Sequence, residues 1–386
     1  MLATPTMVDK VDGMTMVIEK MKLGGAGRKV MVKDTIDISG YPTRASSRAL
    51  KDVEAARRNA AVVDALFNGG CQIIGKTVLH ELAYGTTGIN NYAGTAENSR
   101  YPGRIPGGSS SGSAAVVAAG LCDFSLGTDT GGSVRIPACC CGVFGFKPTF
   151  GRIDRRGVMP EQTSLDCIGP FAASLSLLIE AMRIIDPSLK PLPEATDICI
   201  GRVSVEPSAE VQHAIDAVLD ASGFVLGKVQ LNSMQAAYDA AMVVINRETW
   251  NACGHLLETG LVAPDVAARL QAAGQTSDQA LAAAEQVRAT FTSEVDAALD
   301  RFPVLALPTM PDYPLRLEDA TDTRAVLGMT AFVRPFNLSG HPALSIPFEG
   351  KSGLPVGLQL IAAKGADELL LAVAGELLRR LDSNLL

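Results

Sequence analysis

Two glycine-flanked serine stretches stand close together in this chain. Gly107-Gly108-Ser109-Ser110-Ser111-Gly112-Ser113 is followed by Gly127-Thr128-Asp129-Thr130-Gly131-Gly132-Ser133, and 24 residues separate Ser109 from Ser133. Acyl transfer from an amide needs a nucleophile, a base to activate it, an acid for the departing amine and donors for the oxyanion. Ser133 suits the first role. The glycines before it let backbone N–H groups of Thr130, Gly131, Gly132 and Ser133 converge without Cβ interference, and such a nest favours negative charge. No histidine lies between the two serines. The base must therefore come from farther away, from His80, His213, His255 or His341, or from a lysine. A lysine serves if burial keeps it neutral, which lowers its pKa by up to ~3–5 units. Lys33, Lys76 and Lys147 each end a strand-like run, and residue pattern alone does not choose among them. The neighbouring Asp34 argues mildly against a neutral Lys33.

Alternating elements have to place these groups. Lys29-Val30-Met31-Val32, Gln72-Ile73-Ile74-Gly75, Phe124-Ser125-Leu126-Gly127 and Val143-Phe144-Gly145-Phe146 read as short buried strands. Val304-Leu305-Ala306-Leu307, Leu344-Ser345-Ile346 and Gly357-Leu358-Gln359-Leu360-Ile361 read the same way. Apolar spacing predicts helices over 52–67, 113–121, Ala209–Ala221, 234–258, 278–299 and 367–381. Residues 84–108, rich in Gly, Asn, Thr and Pro, read as a long ordered loop. The alternation predicts one α/β domain, a mixed sheet covered by helices on both faces. A short N-terminal lead (1–26) precedes it, and the region at about 190–300 is expected to form a helical cap.

Composition narrows the partners. With 386 residues, 47% hydrophobic and 19% charged, the chain has material for a large core. A net charge of −7 and no basic run speak against nucleic acid or an anionic membrane as a partner. No apolar run reaches the ~18–20 residues of a membrane span. The start, Met1-Leu2-Ala3-Thr4-Pro5 with Asp9, Lys10 and Asp12 close behind, does not read as a secretory signal, so a cytoplasmic location is expected. Of eight cysteines, Cys139-Cys140-Cys141 are consecutive and no Cys-x-x-Cys pair occurs; in an extended segment, adjacent cysteines alternate faces and do not share a metal. Buried thiols without structural disulfides are expected.

The segments GGSSSGSAAVVAAG and GTDTGGSVRIPA resemble the signature of the amidase signature family. VMVKDTIDISG is similar to its lysine segment, and GKTVLHELAYG, RIPGGSSSGS, CGVFGFKPTFGRI, LPTMP and GLPVGLQLI match its landmarks in order, from about residue 27 to the end. The resemblance implies the family's fold and hydrolysis of a small-molecule amide by a Ser–cis-Ser–Lys triad. Ser133 would be the nucleophile, Ser109 the bridging serine behind a cis peptide, and Lys33 the base. Thr130, Gly131, Gly132 and Ser133 would supply the oxyanion donors, and no metal or cofactor is implied. Ser110, Asp129 and Arg135 are expected in support. Ser110 would be a hydrogen-bonding neighbour of the triad and Asp129 would orient loop N–H groups. Arg135 would brace the loop through a bidentate ion pair, with a substrate carboxylate as its other possible partner. Lys76 and Lys147 are expected to be structural.

Departures from the family pattern are few. Gly-Gly-Ser-Ser-Ser-Gly replaces the commoner Gly-Gly-Ser-Ser-Gly-Gly, and only 32 residues precede Lys33, where relatives carry helices that support dimer contacts or cover the site. A homodimer therefore stays open. Residues 108–112 also fit a G-x-S-x-G elbow with Ser110 as nucleophile, but Arg104-Ile105-Pro106 is a poor strand and the elbow would need a distant acid and His341. Two other functions are weighed: the glutaminase-type component of a tRNA-dependent amidotransferase, and a non-catalytic scaffold.

Overall fold

The computed structural model describes residues 15–320 and 323–383; the first residues, on which the expected absence of a secretory signal rests, lie outside them. The strands are β1 (Val17–Gly24), β2 (Lys29–Lys33), β3 (Gln72–Thr77), β4 (Phe124–Asp129), β5 (Phe144–Lys147), β6 (Cys167–Ala172), β7 (Cys199–Val203), β8 (Val225–Val229), β9 (Val304–Pro308), β10 (Ala343–Glu349) and β11 (Pro355–Ala362). The helices are α1 (Ala61–Asn68), α2 (Ser111–Ala118), α3 (Arg135–Cys141), α4 (Leu175–Ile185), α5 (Ala209–Ala221), α6 (Met234–Cys253), α7 (Pro264–Ala273), α8 (Asp278–Arg301), α9 (Thr323–Gly328), α10 (Arg334–Leu338) and α11 (Asp367–Ser383).

One sheet runs through the molecule in the order β1-β3-β2-β4-β6-β5-β10-β11-β9-β7-β8. It is mixed: β3, β2 and β4 pair in parallel, as do β9, β7 and β8, and the strands between pair antiparallel. The central strands β4, β9 and β11 are buried along their whole length, which is why they read as continuous apolar runs rather than alternating ones. Their period of two still sorts side chains between faces. Val304, Ala306, Leu358 and Leu360 join a core with α1, α4, α5 and α11, whereas Leu305, Leu307 and Ile361 join one with α6, α8 and α10.

The expected α/β architecture with helices on both faces is what forms. The 190–300 stretch, read as a helical cap, also supplies β7 and β8 to the sheet; their glycine-interrupted runs, Cys-Ile-Gly-Arg-Val and Val-Leu-Gly-Lys-Val, are too short and mixed to show a clear strand period. The N-terminal lead contains β1, whose edge position leaves alternate residues exposed. Cys139, Cys140 and Cys141 are not in extended chain but on α3, all buried, with Pro137 tolerated in the first turn. Burial raises the thiol pKa of Cys139 to about 12.

The register brings the chemistry to one sheet end. Val30, Met31 and Val32 of β2 pair with Phe124, Ser125 and Leu126 of the parallel β4. The carboxyl ends of both strands, with Lys33 and Asp129, therefore open on the same side. Asp129 pairs with Cys167 at the start of the antiparallel β6, which puts Asp166 at that end too. Crevices at the carboxyl ends of strands are where open α/β sheets bind ligands.

Candidate active site

The two serine stretches are held together by backbone packing. The Ser109–Ser111 segment enters α2, and the Ser133 segment lies between β4 and α3. The Ser110 amide donates to the Ser133 carbonyl (3.4 Å), and the Ser110 hydroxyl donates to the Thr128 carbonyl (3.2 Å). Ser110 thus fastens α2 to β4 and, through its amide, to the Ser133 backbone. The peptide between Gly108 and Ser109 is cis. Gly132 has φ +112°, and a Cβ there would come within 2.4 Å of Val333 Cγ2, so only glycine fits.

Lys33 is the lysine that meets the serines. Its Nζ donates to Ser109 Oγ at 2.7 Å and to Thr128 Oγ1 at 2.8 Å. It is 0% exposed, its partners are hydroxyls, and no carboxylate pairs with it among the described residues. Burial lowers its pKa to about 7, against the opposing pull of Asp166 and Asp129. Asp34, which argued against a neutral Lys33, is bound to Lys76 (3.0 Å). Lys76 also donates to the Pro42 carbonyl and Thr43, and Lys147 to the Pro148 carbonyl and Cys167. Both are structural, as expected, and neither reaches a serine.

Ser109 is 1% exposed and Ser133 7% exposed. The Ser109 hydroxyl is paired with Lys33 and not with Ser133. The N–H groups of Thr130, Gly131 and Ser133 make no hydrogen bond among the described residues. Gly132, expected among the donors, instead gives its N–H to Asp129 Oδ1 at 2.7 Å. The carboxylate of Asp129 lies under the loop and claims that donor, leaving three for an oxyanion.

Asp129 also accepts from the amides of Val134 and Arg135. Arg135 grips it in a bidentate pair, Nε to Oδ2 at 3.0 Å and Nη2 to Oδ1 at 2.9 Å. Burial alone would raise the Asp129 carboxyl, but Arg135 and Asn337 hold it far below the usual range. The other Arg135 nitrogen bonds go to the Val333 carbonyl, Gln359 and Asn337, so this guanidinium is spent on the loop and not offered to a ligand. Sequence reasoning passed over Asp166, Thr128 and Asn337. Asp166 accepts from Thr130 Oγ1 (2.8 Å) and Arg155 (2.7 Å), fixing the donor loop. A lone aspartate before a strand and an asparagine some 200 residues away carry no spacing signal.

The histidines are elsewhere engaged. His341 bonds Asp296 and Ser339, each at 2.9 Å, and no strand precedes Ser110, so the elbow geometry is not formed. His80 bonds Arg269 (3.0 Å), and burial, with Arg269 and Lys33 near, lowers its pKa to about 3.

Known proteins are similar to this chain in sequence and in fold. A sequence model of the amidase family matches residues 20–242 and 229–371. The chain is 34% identical to the A-type component of the glutamyl-tRNA(Gln) amidotransferase of Haloarcula marismortui, over 87% of this chain and 91% of that protein. It is 32% identical to amidase 1 of Oryza sativa subsp. japonica, over 92% and 91%. A crystal structure of an amidase superposes with a TM-score of 0.85 at 31% identity, covering 92% of this chain and 84% of that one.

Proposed function

Since the chain belongs to the amidase signature family, we propose that it hydrolyses a small-molecule carboxylic amide to acid and ammonia or amine through an acyl-enzyme on Ser133. The observation that carries this reading is the 2.7 Å contact between Ser109 Oγ and a buried Lys33 that no carboxylate neutralises.

An ordinary lysine, with a pKa of about 10.4, is almost entirely protonated at neutral pH. Near 7, about half of the Lys33 population carries a free lone pair. In that form Nζ donates to Thr128 and accepts from the Ser109 hydroxyl. As Ser109 gives its proton to Lys33 it takes that of Ser133, whose oxygen attacks the carbonyl carbon. The carbonyl oxygen becomes negative and meets the N–H groups of Thr130, Gly131 and Ser133; one such donor is worth on the order of 3 kcal/mol in the transition state. Collapse breaks the C–N bond, and the proton returns from Lys33 through Ser109 to the leaving nitrogen. Water then repeats the relay: it loses a proton to Ser109 and Lys33, attacks the ester, and Ser133 leaves with its proton restored. No step calls for a metal or cofactor. Ser110 and Asp129 with Arg135 hold the loop, and a cytoplasmic location is part of this proposal. Among the described residues no helix is long and apolar enough to cross a membrane.

The second reading, the glutaminase-type component of a tRNA-dependent amidotransferase, is favoured by the Haloarcula relative and others like it. A net charge of −7 without a basic run favours the free-standing enzyme. Purified chain assayed on a panel of simple amides separates the two. Turnover alone, lost in Lys33→Ala and Ser133→Ala, supports the first. Full activity in either variant overturns the mechanism, and turnover only with added partner proteins supports the second.

A further inference from the structure

Arg334, at the start of α10, is 3% exposed, yet its Nε has no hydrogen-bond partner and no carboxylate among the described residues forms an ion pair with its guanidinium. The Tyr238 ring lies 4.3 Å from the guanidinium carbon and favours its charge by proximity and by hydrogen bonding, while Asp239 and Tyr84 act from farther off. The Tyr238 hydroxyl is itself given to the Leu327 carbonyl. Arg135, also buried, shows the contrast: Asp129 neutralises it and three further acceptors satisfy it. A buried cation without a carboxylate partner is disfavoured, and perturbed charged groups of this kind cluster at functional sites.

Its position says where that ligand sits. A Cβ on Gly131 would stand 3.7 Å from Arg334 Cγ and 3.8 Å from its Nε, with Ile245 Cδ1 at 3.1 Å. Arg334 thus packs against Gly131, one of the three free donors, with Ile245 beside them. Ile245 and Tyr238 supply apolar and aromatic walls there.

We propose that Arg334 binds a carboxylate of the substrate, so that the amide hydrolysed is a short aliphatic one carrying an acid group close to the scissile carbonyl. The inference rests on the amidase reading and specifies its substrate class. A planar guanidinium takes a carboxylate through two parallel hydrogen bonds, and the small distance from Gly131 limits the spacer to a few atoms.

The test pairs succinamate with butyramide, which differ in the terminal acid. Wild type is expected to prefer succinamate in kcat/KM by about thirtyfold or more, and Arg334→Met to collapse that ratio toward one, with Arg334→Lys in between. An unchanged ratio in Arg334→Met, or no preference in wild type, overturns the proposal. Succinate itself serves as a turnover-free probe by calorimetry. Succinate bound by wild type and not by Arg334→Met or Arg334→Gln, with neither amide hydrolysed, would leave the anion site standing and sink the amidase reading. Amide hydrolysis with no Arg334-dependent succinate binding would do the reverse. Thermal unfolding guards against a merely structural role: removing an unmatched buried charge should not lower Tm, and a large fall in Arg334→Met and Arg334→Gln alike would count against the proposal.

Discussion

Asp34 follows Lys33 directly in the chain, yet its carboxylate is bound to Lys76, with Nζ and Oδ1 3.0 Å apart. Adjacent residues of a strand end point to opposite sides. The acid therefore neutralises the lysine of the next strand and leaves Lys33 to face Ser109 and Thr128 alone. This division makes one of two buried lysines a candidate base and the other a brace.

Activity should follow the free base form of Lys33. We expect kcat/KM to rise with pH and level off above about 7, where Lys33 loses its proton. Lys33→Ala should lower it by about 10²–10⁴-fold. A pH–rate profile on any amide that is turned over checks both; a flat profile between pH 5.5 and 8 would contradict the assignment.

Asp166 sets where that limb falls. Its charge favours the Lys33 ammonium. Asp166→Asn, which removes the charge and keeps the shape, should lower the Lys33 pKa and move the ascending limb to lower pH. A limb that stays in place or moves up would show that Asp166 does not act on Lys33.

Lys33 should also weaken the fold. Its folded pKa, about 7, lies below the ordinary value of 10.5. Between those values the unfolded chain holds a proton that the folded chain does not, so stability from this group increases as pH rises through the window. Well below pH 7 both states are protonated, and the folded one bears the full desolvation penalty. Lys33→Met is therefore expected to raise Tm while abolishing activity, with the gain largest near pH 6 and fading toward pH 10. Melting curves across that range are the measurement.

Arg135→Met should do the opposite. It strands the Asp129 charge in the interior, which typically costs about 3–5 kcal/mol. Because protonation would relieve that charge, the gap to wild type in urea unfolding should narrow as pH falls. A loss under about 1 kcal/mol at pH 7 would mean that the pair is not what holds the loop.

His341→Ala should keep activity within a few-fold, since His341 bonds Asp296 and Ser339 and not a serine of the 109–111 run. A drop of several orders of magnitude in folded protein would revive the elbow reading.

The α/β class, most of the buried strands and the two serine loops were legible in the residues. Buried parallel and central strands must be continuous apolar runs, and loops with positive φ or close backbone contact must carry glycine, as at Gly132. β1, β7 and β8 were not, because an edge or outer strand needs little hydrophobicity of its own when a neighbour supplies the ladder, and neither was the central β6, whose short run is broken by Gly169 and Pro170. Identifying Lys33 from residue types alone was out of reach: three lysines ended similar strands, and resemblance chose among them. Folding alone sets where Asp34 points, that Asp129 takes the Gly132 amide, and that Arg334 lies beside Gly131. Charge pairing and donor availability are set by distances between residues far apart in sequence, and those distances exist only once the sheet register has closed.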